Sequence, residues 1–196
     1  MAVKSNFASG EVLTASDVNT YLTNGGLVYI AETIIGAGAT TSISFNNVFT
    51  STFDNYQVLI DNFTPSIGNL GLNFRLRVGG VDAFGATDYK NAFLGLTDTG
   101  AASNFTSAGQ DNGSTGMFNS STTVVHSSAT MIFFNPARTV RTNIQSHAQL
   151  FASQLFHRTG SVLHDLTTAY DGFTLLLSGA GNITTLRVRI YGYRQA

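Results

Sequence analysis

Apolar and polar residues alternate with a period of two along most of this chain. Leu72, Phe74, Leu76 and Val78 alternate with Asn73, Arg75, Arg77 and Gly79, the pattern of a strand with one buried face. Tyr56, Val58 and Ile60 repeat it, as do Leu186, Val188 and Ile190 set against Arg187, Arg189 and Tyr191. Phe173, Leu175 and Leu177 form another such strand, with Leu176 on the outer side pointing to contact on both faces. Further runs lie at Leu27 to Ile34, Thr41 to Phe45, Asn91 to Leu96, Thr122 to Val125, Thr130 to Phe134 and Ser146 to Phe156. They bring the expectation to about ten strands. Turn signals divide them at Gly79-Gly80, Asp98-Thr99-Gly100, Asp111-Asn112-Gly113, Arg158-Thr159-Gly160 and Gly179-Ala180-Gly181-Asn182. This spacing, without helical patterns between the runs, predicts an all-β fold over residues 27–196, an antiparallel β-sandwich of jelly-roll type. Residues 97–121 lack apolar periodicity and read as a long surface loop with a short strand at Gly116-Met117-Phe118. The last strand, through Tyr191-Gly192-Tyr193-Arg194, runs almost to the end of the sequence. It is expected inside a sheet, where pairing on both sides ties it down.

Residues 1–26 follow a different pattern. Thr14 can cap a helix with Asp17 at the third helical position, and Leu13 and Val18 take the two places of a hydrophobic staple. Asn24, Gly25 and Gly26 supply a C-terminal stop. A short helix from Ala15 to Thr23 is therefore expected. It offers only Val18, Tyr21 and Leu22 for burial, too little for stability alone, so it must dock on another surface.

Composition narrows the picture. Charged residues make up 11% of the chain and hydrophobic ones 43%, so a core is available while the polar surface falls to Ser, Thr and Asn. Glu and Lys, the usual residues of exposed helical faces, are scarce. With a net charge of −1 and dispersed basic residues, no footprint for nucleic acid is present. The absence of cysteine removes disulfides and thiolate metal sites. The start of the sequence lacks the apolar run of a signal peptide, and no stretch reaches the length of a membrane helix. Synthesis in the cytoplasm without export by the usual route or membrane insertion is the expectation.

Catalytic patterns are weak. His164-Asp165 stands without a Gly-x-Ser-x-Gly elbow, and adjacent strand residues point to opposite faces. His126, His147, His157 and His164 show no metal-ligand spacing. Asp98, Asp111 and Asn112, or Asp61 with Asn62, are calcium candidates on composition, but they lack the EF-hand order and read more simply as turn formers. Glu11 and Glu32 have no context for paired-carboxylate hydrolysis. Gly36-Ala37-Gly38-Ala39-Thr40 precedes a strand pattern, not a helix, and so is a turn and not a phosphate loop. The Asn-x-Ser/Thr sequons at Asn62, Asn104, Asn112, Asn119 and Asn182 follow from composition. No catalytic residue, cofactor or metal is assigned. The aromatic residues Tyr89, Phe93, Phe105 and Phe118, in or near the loop-rich middle, are candidates for stacking on a sugar or anchoring an interface. The alternative is that they fold back onto the core.

Three segments carry a family resemblance. Phe7, Gly10, Leu13, Thr14, Ala15 and Asn19 form a motif that resembles one in tailed-phage structural proteins. The stretch from Ile183 to Arg194 is similar to the closing strand of small phage and cyanophage virion proteins, of the tail-fibre-like, minor structural and decoration kinds. Phe49 to Tyr56 looks like the start of their first sandwich strands. The resemblance implies a non-enzymatic virion protein, commonly a homotrimer, attached through its N-terminal segment and displaying its β-domain. Phe7, Leu13, Val18, Tyr21 and Leu22 are then the attachment residues, and Leu176, Tyr191 and Tyr193 the subunit seam. A short tail fibre or receptor-binding tip, contacting a host glycan or protein, is the first expectation. A capsid decoration protein is the alternative.

Overall fold

A computed structural model describes residues 26–36, 40–119, 127–151 and 155–194 of the chain. The expected N-terminal helix, the attachment residues Phe7, Leu13, Val18, Tyr21 and Leu22, the strand at 122–125, and His126 lie outside the described residues. The described residues contain no helix. Their strands are β1 (Leu27–Ile35), β2 (Ser42–Phe45), β3 (Asn55–Pro65), β4 (Leu70–Val78), β5 (Val81–Asp82), β6 (Tyr89–Thr97) and β7 (Ala102–Gln110). They continue with β8 (Gly113–Asn119), β9 (Ser128–Phe134), β10 (Thr142–Phe151), β11 (Leu155–His164), β12 (Gly172–Leu177) and β13 (Ile183–Tyr193).

Two antiparallel sheets form a sandwich. The larger has eight strands in the order β1-β13-β3-β9-β10-β11-β6-β7, and the smaller runs β2-β12-β4-β5 with β8 also paired to β4. The closing strand β13 lies between β1 and β3, inside the larger sheet as expected. Alternation decides what faces inward. Tyr56, Val58 and Ile60 from β3 and Met131 and Phe133 from β9 meet Phe74 and Leu76 from β4 and Phe173 and Leu175 from β12. The layers touch through aromatic rings. Phe133 packs 5.5 Å from Phe173 and 5.5 Å from Phe74, and Phe49, from the β2–β3 connection, lies 5.6 Å from Phe173 and 4.7 Å from Tyr56.

Three sequence expectations are corrected. The stretch 97–121 is not a long loop, because β7 and β8 occupy most of it. Among the described residues β7 is an edge strand with one neighbour, β6, and most of its residues are exposed. Backbone pairing alone makes it a strand, so it shows no apolar alternation. The run from Ser146 to Phe156 is two strands, β10 and β11, paired from Thr142↔His164 to Phe151↔Leu155. Arg158-Thr159-Gly160 is not a turn but the middle of β11. Gly160 sits directly opposite Phe93, whose ring takes the space a Cβ would fill.

Buried tyrosines tie connections to the sheets. The Tyr56 hydroxyl accepts from the Thr50 N–H at 2.6 Å and donates to the Thr50 carbonyl at 2.7 Å. The Tyr89 hydroxyl accepts from the Leu76 N–H at 2.8 Å and donates to the Ala83 carbonyl at 3.0 Å. It thereby fills the gap on β4 between the residues that pair β8 and those that pair β5. Beside it, His164 is fully buried between the rings of Tyr89 (4.5 Å) and Tyr170 (5.1 Å). Its neighbour Asp165 faces outward and pairs with Lys90 and Arg141 at 2.5 and 2.6 Å, so the two adjacent residues do not work together.

Phe133→Ala removes the ring shared by both layers and should lower stability by about 3–5 kcal/mol in chemical denaturation. The pH dependence follows from His164. Burial pushes its pKa below the ordinary 6.5, with Asp88 and Asp165 opposing that shift. The unfolded chain therefore binds the proton first as pH falls, so stability is full above 6.5 and declines below it. His164→Phe should flatten that decline in thermal melts across this range. It should leave a separate loss at lower pH from Asp165, whose carboxyl the Lys90 contact holds below its ordinary 3.8.

Candidate functional site

The chain passes from one sheet to the other at several connections, and a cleft opens at the passage from β7 to β8. β7 belongs to the larger sheet and β8 to the smaller, so the bend at Asp111-Asn112 carries the backbone across the open end of the sandwich. Arg75 of β4 holds that corner: it forms an ion pair with the Asp111 carboxylate and donates from Nε to the Asp111 carbonyl at 3.1 Å. β8 then turns inward at Gly116, where φ is +77° and a Cβ would stand 2.9 Å from the Phe93 ring, so no side chain fits.

The resulting cleft has a volume of about 470 Å³. Its walls come from Asn73 of β4, Asn91 of β6, Phe105, Ser107 and Gln110 of β7, Asn112 of the bend, and Ser114 and Met117 of β8. Arg158 of β11 and Ser178 beyond β12 complete it. Asn91 organises the wall. Its Nδ2 donates to Ser107 Oγ at 3.1 Å and to the Asn112 carbonyl at 3.4 Å, while its Oδ1 accepts from the Ser114 N–H at 2.8 Å. One buried carboxamide thus joins β6, β7, the bend and β8. Ser178 accepts from the Gly71 N–H at 2.8 Å and secures the opposite side. Burial pushes the Arg158 guanidinium below its usual range, yet an arginine stays charged at any physiological pH.

The aromatic candidates divide. Tyr89 and Phe93 are not exposed contacts: both alternate onto the inner face of β6 and lie in the core, at 0% and 6% exposure. Phe105 is paired opposite Phe93, but on the edge strand it has no neighbour beyond it, and it stays 49% exposed at the rim of the cleft. Phe118 is paired opposite Gly71 in β8, and its side chain lies outside the described residues. Leu176 lies half-buried on the outer face of the smaller sheet, and Tyr191 and Tyr193 on that of the larger. The structure does not bring these three together. The calcium candidates are otherwise engaged: Asp111 pairs with Arg75, Asp61 with Arg189, and Asp98 accepts from the Leu155 N–H. Among the described residues, no group of three or more His, Asp or Glu could hold a metal ion. Sequence reasoning missed Asn73, Asn91, Gln110 and Arg158. Asn91 left a signal, a carboxamide at an inward position between Tyr89 and Phe93.

Neither a family model nor a curated protein matches the chain. Among solved structures, a leech intramolecular trans-sialidase complexed with 2,7-anhydro-Neu5Ac is similar at a TM-score of 0.30 and 10% identity. The likeness covers 87% of this chain and 27% of that protein. At that level it carries no argument about function.

Asn91→Leu keeps the branched side-chain shape, at somewhat larger volume, but strands the Ser114 N–H and the Ser107 hydroxyl. It should cost about 1–3 kcal/mol in denaturant titration. Faster hydrogen exchange should be confined to β7 and β8.

Proposed function

We propose that this protein is a displayed, non-enzymatic virion component of the receptor-binding type, and that its cleft contacts a saccharide on the host surface. The observation that supports this most is Phe105, an exposed ring on the rim of a cleft walled by carboxamides and hydroxyls. Sugars present C–H faces that stack on aromatic rings, and hydroxyls that need a donor and an acceptor together. Carboxamides offer both. The volume falls within the range of small-ligand pockets, about 300–1,000 Å³. Glycoside hydrolysis needs two carboxyl groups flanking the bond, and the residues that line this cleft supply none. Binding without cleavage is the chemistry that such a wall supports.

In this reading the N-terminal segment attaches the domain to the particle, and self-association into a homotrimer is part of the proposal. A second reading, capsid decoration, is favoured by one feature. The larger sheet ends in β7, whose nine residues carry neither charge nor proline and pair on one side only. Such an edge suits lateral contact with neighbouring subunits.

Purified protein at saturation should slow adsorption of the virions that carry it, and Phe105→Ala should abolish the competition with an unchanged melting temperature. No competition by the wild-type protein would overturn the receptor-binding reading. Hundreds of copies per particle, counted by quantitative mass analysis, would favour decoration.

A further inference from the structure

The cleft carries a charge that a neutral sugar does not need. Arg158 lies on β11 directly opposite Gly95 of β6, on the inward side of the larger sheet, and lines the cleft. Gly95 makes room for it: a Cβ there would stand 3.1 Å from Arg158 Cγ and 2.8 Å from Ser103 Oγ. The arginine is thus seated across a glycine, its stem packed against the sheet, and its head is partly withdrawn from water. The nearby acidic group, Asp111, is paired with Arg75 at the corner of the bend. Other side chains of the wall, Asn73, Asn91, Gln110, Asn112 and Ser114 among them, are uncharged. The side chains that line the cleft thus include one guanidinium and no carboxylate.

We infer that the cleft takes an acidic saccharide, with Arg158 binding a carboxylate on the sugar ring and Phe105 stacking on the ring's apolar face. This rests on the reading of the cleft as a saccharide site. Arg158 also keeps contacts within the protein. A guanidinium has five N–H donors in a planar fork, enough to hold an internal partner and still meet a carboxylate. A single cation matches a monoanion, whereas a phosphate dianion would call for a second positive group. The surrounding amides and hydroxyls then read the ring hydroxyls, as in the neutral part of the wall.

The test uses the full chain and a set of oligosaccharides of glucuronate, galacturonate and mannuronate, each as free acid and as methyl ester, beside neutral hexose counterparts. Affinities are measured by calorimetry at two salt concentrations, with inorganic phosphate as a further probe. The expected result is binding of at least one free acid that weakens about tenfold or more on esterification, in Arg158→Gln and at higher salt. Phe105→Ala should weaken acid and ester alike. The esterified sugars test the charge on the unaltered protein, so a poorly folded Arg158→Gln would not blunt the experiment. Equal binding of acids, esters and neutral sugars would overturn the acidic class and leave the saccharide site standing. Phosphate binding as tightly as the sugar acids would also overturn it, because the cleft would then be a simple anion site. Failure of every saccharide to bind would overturn both readings.

Discussion

The contact between Phe133 and Phe173 is the constraint on which this fold depends. These rings come from different sheets, and Phe49, Phe74 and Tyr56 gather around them. With no cysteine available to cross-link the layers, packing of the inner faces must set their spacing. Charges contribute little to this. Apart from the more enclosed Arg77–Asp82 pair, the ion pairs among the described residues are partly exposed, where such pairs contribute about 0–1 kcal/mol. A chain poor in charged residues therefore invests its stability in aromatic burial and in backbone pairing.

One strand shows how that core leads into the cleft. Tyr89, Asn91 and Phe93 follow one another on the inner face of β6, and each has a different task. Tyr89 bridges the backbone of β4 and the segment after β5. Phe93 covers Gly160 and bounds the turn of β8 at Gly116. Asn91, between these two core rings, sets a carboxamide on the same inner face and carries the polar wall. Core and cleft thus meet within five residues of one strand, Tyr89 to Phe93, because alternation points every second side chain inward. The two open edges of the larger sheet, β1 and β7, stand at opposite ends of that sheet. The cleft forms at one of them, where an edge strand leaves its last ring without a neighbour.

The functional reading draws on the same economy. A surface built from Ser, Thr and Asn is well hydrated without a strong field, which suits a domain displayed on a particle. Desolvating a charge must be offset by partners, and Arg158 keeps contacts of its own within the protein. Its seat across Gly95, in a cleft of amides, is what lets the proposed site offer a guanidinium to a ligand.

Much of the fold was legible in the residues themselves. Period-two alternation located the strands around Tyr56, Phe74, Phe173 and Val188, because burial on one face leaves a direct imprint on composition. What alternation could not show was any strand held by backbone hydrogen bonds alone. β7 has exposed side chains and so resembles a loop until its pairing with β6 is seen. In the same way a glycine reads as a turn in isolation, whereas Gly160 is a strand residue that makes room for Phe93. Exposure of aromatics was equally hidden. Phe93 and Phe105 face each other across one pair of strands, yet one is core and the other rim, since only the latter's strand is at the edge. The sequence determined a charge-poor β-sandwich without cysteine chemistry. The tertiary structure alone decided that Asn91, Phe105 and Arg158 share a cleft, because a site assembled from five different strands and a layer crossing leaves no spacing along the chain.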